Sequence, residues 1–335
     1  MQELATQIKK IVAQLIAHLP PRNREIITRR FGLKTGAKET LESIGASHSI
    51  TRERIRQIEA SAIVQIKNSL SPEVTKPFVL AVRNIIERAG GVIREDTLFN
   101  EFSGVPKRDP ANMALAFMLT LSGEYLRSPE DEDFYAFWSL SKDHTNRFKS
   151  TVQDFINGLE KRNAVVQETN ADVPREELSS YLAISKQVSK NVFGAIGLTK
   201  WADIKPRGVR DKSFLILKRE GQPRHFRDIT NLINTVGFDN RKAHVQTVHN
   251  ELIKDRRFVL VGRGIYGLAE WGFEPGTVKE VIANFIRTAG PQSKDKIIAH
   301  VMSARMVKPN TIILGMQDRN LFRENDHGHI ALKDA

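Results

Sequence analysis

The stretch Thr51–Ala60 reads TRERIRQIEA and gathers side chains suited to reading polar edges. Ile55, Ile58, Ala62 and Ile63 recur at helical spacing, which leaves Arg52, Glu53, Arg56, Gln57 and Ser61 on the remaining face. Arginine can make paired hydrogen bonds to guanine, glutamine can do so to adenine, and glutamate can accept from cytosine. Near the N-terminus of a helix, these groups suit base edges in a DNA major groove. A solvated charged face is the plainer reading of the same residues.

A second set lies further on. The helix expected over Ala243–Asp255 turns Val245, Val248 and Leu252 inward, so Lys242, His244, Gln246 and Asn250 can face a groove. Arg256, Arg257 and Arg263 stand where they could hold phosphates beside it. A protein-binding face with solvated charges is the alternative here.

Catalytic chemistry finds little support. The chain has no cysteine, which excludes disulfides, thiol catalysis and cysteine-bound zinc. His244 and His249 are five apart and do not share a helical face as a metal pair would, and His327 and His329 suit a solvated hairpin. Asp203-Ile204-Lys205 matches a nuclease-like D-x-K only superficially, because its segment is too small for a nuclease core. No phosphate-cradling GxxxxGK[ST] occurs. The expectation is a protein that is not an enzyme, with no catalytic residue, no metal, no cofactor and no small-molecule substrate.

The composition agrees with binding. The 335 residues hold 51 Lys+Arg against 39 Asp+Glu, a net charge of +12 that favours a polyanionic partner. Hydrophobic content of 40% and charged content of 27% are ordinary for a folded soluble chain. The apolar run at 111–121 is too short to span a bilayer, and MQELATQIKK lacks a signal-peptide core. A cytoplasmic, nucleoid-associated protein with no membrane partner is expected.

Trp138, Trp201 and Trp271 close similar phrases, FYAFWSL, IGLTKW and GIYGLAEW, and GHIALKDA at the end is a candidate fourth without the tryptophan. Their spacing suits small helix–turn–helix modules with terminal hairpins. Five segments follow: 1–72, 73–143, 144–205, 206–272 and 273–335. Their net charges are +6, −4, +2, +6 and +2, so the first and fourth are the expected DNA-facing modules. The fold class expected is mainly α with small β-hairpin wings, as tandem helix–turn–helix and winged-helix modules.

In the first segment a helix over Gln2–Leu19 ends at Pro20 and Pro21, and a second runs over Arg22–Phe31 to Gly32. Thr40 caps a short helix, Ser49 sits in the turn, and Thr51 caps the helix that carries the candidate readers. LPPRNREIITRRFGL followed by TLESIGASHSITRERIRQIEASAI closely resembles region 4 of housekeeping-type bacterial sigma factors, over about residues 10–68. The resemblance implies binding to the upstream (minus-thirty-five) element of double-stranded promoter DNA and to the β flap of core RNA polymerase. It implies base contacts from Arg52, Glu53 and Gln57, a base or phosphate contact from Arg56, and phosphate contacts from Arg22, Arg30 and Thr40. His48 departs from the family, which usually has an apolar core residue there. Ser61, Val64 and Gln65 replace basic residues common after the motif.

GQPRHFRDI and FVLVGRGIYGLAEW in the fourth segment resemble the HARE-HTH winged-helix family, which includes the RNA polymerase delta subunit. The second segment repeats its plan, with helices at 78–89 and 110–121, strands near 125–127 and 134–140, and an acidic tip, PEDEDF, that would repel phosphate. The fifth repeats it with helices at 277–288 and 310–318 and strands flanking 324–328. Residues 173–194 show helix–turn–helix spacing through Leu178, Leu182 and Val188.

These readings converge on a sigma factor-like, DNA-binding transcription factor of the bacterial initiation machinery. No aromatic-rich region capable of capturing flipped bases is found, so promoter melting by this chain alone is not expected. A sigma-competing regulator or repressor, an architectural DNA-binding protein independent of polymerase, and a nuclease-linked specificity subunit are the alternatives.

Overall fold

Pro20 and Pro21 divide the first amphipathic stretch into two helices, α1 (Gln2–Ala17) and α2 (Pro21–Phe31). Pro21 takes the first turn of α2, where an N–H would have no helical partner anyway. Gly32 ends α2 in the left-handed region at φ 68°, and a Cβ there would lie 2.7 Å from the Ala37 backbone. Thr40 caps α3 (Leu41–Ser47) and Thr51 caps α4 (Arg52–Ser69), each hydroxyl accepting from an N–H three residues on.

The computed structural model describes residues 2–105, 108–167, 176–239 and 241–333. It divides the chain into two units, Met1–Lys200 and Trp201–Ala335. Both are mainly α with small antiparallel hairpins. Among the described residues no helix is long and apolar enough to cross a membrane.

In the first unit the chain continues through α5 (Pro72–Arg88), β1 (Val92–Arg94), α6 (Glu95–Ser103), α7 (Pro110–Ser122), β2 (Leu126–Ser128) and β3 (Phe137–Ser139). The strands form one antiparallel sheet in the order β1-β3-β2. The nearly all-apolar α7 is buried on every side. It shares one core with Ile8, Val12 and Ile16 of α1, Ile27 of α2, and Ala62 and Ile66 of α4. Segments 1–72 and 73–143 are thus joined through a common interior, and the rings of Phe31 and Phe117 meet at 4.6 Å across it. Trp138 is buried in β3 and donates from Nε1 to Glu95, a buried carboxylate also held by Arg127.

The unit closes with α8 (Lys142–Arg162), α9 (Glu176–Ile184), β4 (Val188–Lys190) and β5 (Ile196–Leu198). The helix–turn–helix expected over 173–194 begins outside the described residues. Its later part is different, since Val188 lies on β4, paired with Leu198 in a hairpin. The β-branched residue fits a pleated, half-buried surface better than a second helix. Phe148 of α8 packs edge-on against Phe134, Phe137 and Tyr181, which ties this segment to the preceding sheet. The acidic tip at 130–133 is partly neutralised by Lys186, which pairs with Glu130.

The second unit opens with α10 (Val209–Glu220), β6 (Arg224–His225), α11 (Phe226–Val236), α12 (Val245–Lys254), β7 (Phe258–Gly262) and β8 (Ile265–Leu268). Three helices followed by a hairpin is the order of a winged helix, and its sheet runs β6-β8-β7. The helix expected from Ala243 starts at Val245, with His244 as its N-cap. Val245 is 38% exposed, not inward; Val248 and Leu252 alone supply the buried stripe of α12. Then come α13 (Val278–Ala289), α14 (Lys294–Ala304), α15 (Pro309–Met316), β9 (Phe322–Glu324) and β10 (Ile330–Leu332), the same order again. Thr277 and Glu280 form a capping box on α13. Within this unit the buried Arg305 donates to the carbonyls of Leu260 and Gly276, and the Met306 N–H donates to Val261. The wing strand β7 is thereby fastened to the link between α14 and α15.

Candidate nucleic-acid interface

Ile26, Ile44 and Ile55 are fully buried against one another and set the positions of α2, α3 and α4. The turn between α3 and α4 is fixed by Ser49 in the left-handed region at φ 55° and by the close approach of Gly45 to Ile50. A Cβ on Gly45 would lie 2.8 Å from the Ile50 carbonyl, so the small residue lets the two helices meet. This local geometry turns one face of α4 outward. Arg52, Glu53, Arg56 and Gln57 are all exposed on that helix.

The exposed face is internally ordered. Arg56 donates from Nε and Nη2 to the Glu53 carboxylate at 2.9 and 2.7 Å. The hydrogen bond from Arg56 holds the Glu53 carboxyl below its ordinary range, so it is an anion at neutral pH. Arg54 donates to the Gln57 side-chain oxygen at 3.1 Å. Arg52 stands at the first turn of α4, exposed beside the helix N-terminus.

The expected phosphate ligands lie on α2 and at the start of α3. Arg22 donates to the His48 carbonyl at 3.4 Å. Arg30 is half-buried and donates to Glu59 at 3.1 Å and to the Glu39 carbonyl at 3.0 Å. The Thr40 hydroxyl accepts from Ser43. All three therefore have structural partners in the free protein. Arg29, which sequence reasoning did not single out, makes a bidentate pair with Glu39 at 3.0 and 2.8 Å and donates to Ser47 at 2.7 Å. It ties α2 to the start and the end of α3. The signal for it was the arginine run at the C-terminal end of α2, but its partner could be found only in three dimensions.

On the second candidate surface, Lys242, His244, Gln246 and Asn250 are exposed on or just before α12. Gln246 donates to Asn250 one turn on at 3.1 Å. Arg256 and Arg263 are exposed near the wing. Arg257 differs: its guanidinium pairs with Asp255 at 2.7 Å and with Asp211 at 3.0 Å and lies over the Phe214 ring. It braces α10 against the strand.

Groups of acidic or histidine side chains that could hold a metal ion are absent among the described residues. Asp203 of the D-x-K stretch is paired with Lys218 at 3.0 Å. His249 stacks on Phe226 at 4.4 Å.

Residues 15–68 match the family described as Sigma-70, region 4. The chain is 36% identical over 72 residues to RNA polymerase sigma factor SigA of a Nostoc species, covering 22% of this chain and 18% of that one. It is 47% identical over 53 residues to the principal sigma factor HrdD of Streptomyces coelicolor, covering 16% of each. It is also 38% identical over 65 residues to SigA1 of Synechococcus elongatus, covering 19% of this chain and 16% of that one. The chain thus spans less than a fifth of the length of these curated relatives. No solved structure matches it. The part of the chain that carries a sigma-70 region 4 module is the part that presents α4.

Proposed function

We propose that this protein is a sigma factor-like, DNA-binding transcription factor of the bacterial initiation machinery, acting by tethering and not by catalysis. One observation carries the reading: the residues that match region 4 fold as a helix–turn–helix with Arg52, Glu53, Arg56 and Gln57 exposed together on its second helix.

In this reading α4 enters the major groove of the upstream promoter element. Arg52, Glu53 and Gln57 contact bases, and Arg56 contacts a base or phosphate while holding Glu53. Arg22, Arg30 and Thr40 lie along the backbone, and core RNA polymerase, through its β flap, is the protein partner. The five segments act as modules: 1–72 as the region 4-like reader, 206–272 as a HARE-HTH winged helix, and 73–143, 144–205 and 273–335 as further helix–turn–helix or winged units. Lys242, His244, Gln246, Asn250, Arg256 and Arg263 supply a second DNA surface. Several weak modules on one chain raise the effective concentration at a promoter. Such a protein works in the cytoplasm, on the nucleoid.

The test is a band-shift and footprint with the full chain on duplexes with and without a minus-thirty-five element, in the presence and absence of core polymerase. A footprint on that element, lost in Arg52→Ala and Gln57→Ala, is expected. Polymerase binding without any promoter footprint would instead make the protein a competitor of sigma factors. Equal affinity for all duplexes and none for polymerase would reject the initiation role.

A further inference from the structure

The third helices of the two three-helix segments in the second unit differ in charge. Helix α12 shows solvent Gln246, Asn250 and Lys254 beside the apolar Val245 and Ile253. Helix α15, in the same place in the order of elements, reads PNTIILGM and contains no charged residue. Ile312, Gly315 and Met316 face its core, yet Leu314 is 67% exposed and Ile313 39%. Met302 near the end of α14 and Met306 in the following link are about half exposed as well. Four large apolar side chains therefore reach solvent within one stretch of two packed helices. Methionine is adaptable and recurs on surfaces that accept varied apolar partners. Its polar side chains are confined to Asn310 and Thr311 in the first turn, and with no cation on the helix it is poorly suited to phosphates.

The frame of this apolar face is cationic. Between His300 and Arg323 the only acidic residue is Asp318, and Lys279 pairs with it. Lys308 precedes α15 and Arg319 follows it, both exposed and neither paired with a carboxylate among the described residues. The backbone under the patch is firm, because Arg305 anchors the α14–α15 link to the Leu260 and Gly276 carbonyls. A site held this way is ordered before its partner arrives.

We propose that the α14–α15 face of the C-terminal segment is a protein-docking surface that receives an acidic amphipathic helix of a partner protein. Leucine-like side chains of that helix cover Met302, Met306, Ile313 and Leu314, and its flanking carboxylates meet Lys308 and Arg319. An anchor pattern at i, i+3 and i+4 is the ordinary form of such recognition. The second unit then divides its work, with α12 offering polar groups to nucleic acid and α15 offering an apolar seat to protein.

The experiment uses the full-length protein and a fluorescent synthetic helix carrying leucine at i, i+4 and i+7 flanked by glutamates. Its twin carries lysines in place of the glutamates. The glutamate peptide is expected to raise anisotropy saturably and the lysine peptide not to. Leu314→Ser should weaken binding at least tenfold, and so should Lys308→Glu combined with Arg319→Glu. Both replace exposed side chains, and an unchanged melting curve checks the fold. The idea is overturned by equal binding of both peptides, by binding that the substitutions leave intact, or by no binding. It is also overturned if sedimentation shows that Leu314→Ser abolishes a dimer, which would make the face a contact between copies of this chain. Promoter footprinting on the same variants keeps this outcome separate from the DNA-binding reading, because α4 is untouched.

Discussion

Arg56 sits one helical turn after Glu53 and grips both of its carboxylate oxygens, at 2.9 and 2.7 Å. Two groups proposed to face DNA are thus already held in one geometry on the free surface of α4. An exposed pair of this kind adds little stability, since solvent screens it. Its value lies in orientation, because a carboxylate held in place loses less rotamer freedom when it meets a base. Arg56→Ala should therefore leave the melting temperature nearly unchanged while lowering affinity for the cognate duplex and relaxing preference at the base that Glu53 contacts. The loss expected at a base-specific contact is about 1–3 kcal/mol. Titration of cognate and single-base variants by anisotropy checks it. A drop equal on every sequence would make Arg56 a phosphate contact only.

His48 ends α3 at a site where the side chain is 15% exposed and Nε2 has no hydrogen-bond partner among the described residues. The nearest charge, Glu25, stands at 3.6 Å, and the backbone at φ −103° suits any residue. A buried polar atom without a partner destabilises, and an apolar group of similar size avoids that penalty. His48→Leu should raise stability by about 1 kcal/mol, with promoter affinity unchanged because the His48 carbonyl still accepts from Arg22. A lower melting temperature in the leucine variant would show that the imidazole's contact with Glu25 outweighs the unmet nitrogen.

The N-terminal helices were legible in sequence for local reasons: Gly32, Thr40 and Thr51 each act on their own backbone and take the expected place, while Pro21, read as part of the stop of α1, is the first residue of α2. Likewise, α10 runs over Val209–Glu220 because its apolar period and Gly221 stop agree. What sequence did not reveal was tertiary. Nothing in the period of α1 says that its stripe meets α7, or that Phe31 meets Phe117. A cut at residue 72 would therefore expose a core that the charge pattern had suggested was separate. Val245 was misplaced for a related reason, since α12 starts two residues later than its period suggests and leaves that side chain in solvent. The site residues of α4 were readable because exposure follows from helical period alone, whereas the pairing of Arg29 with Glu39 required the fold.

That pairing carries a pH dependence. The hydrogen bond from Arg29 holds the Glu39 carboxyl below its ordinary value of about 4.5. A folded-state pKa lower than the unfolded one means the stabilisation is fully present above the unfolded value. It is lost as pH falls through the folded value. Glu39→Gln should then be less stable than the parent at pH 7, and the difference should shrink below about 4.5 and vanish at strongly acid pH. Chemical denaturation of both proteins across pH 3–7 reads this out. A stability gap independent of pH would mean that Glu39 acts through shape and not through charge.

The last prediction separates three neighbouring arginines. Arg256 and Arg263 are exposed, while Arg257 is held between Asp255 and Asp211 and pressed against Phe214. Those carboxylates raise the pKa of Arg257, led by the hydrogen bond to Asp255, so its charge is spent inside the protein. Phosphate contacts release counterions, and each one removed lowers the salt slope of binding by about 1. Arg256→Ala and Arg263→Ala should weaken binding to any duplex and flatten the salt dependence, with little effect on stability. Arg257→Ala should do the reverse, because it strands Asp255 and Asp211 without their partner and loosens α10 against the wing strand. Its melting temperature should fall while the salt slope stays close to the parent's. A flattened slope in Arg257→Ala with an unchanged melting curve would show that the guanidinium leaves its carboxylates to meet phosphate. If none of the three altered DNA binding, the polar face of α12 and its wing would serve a protein partner instead.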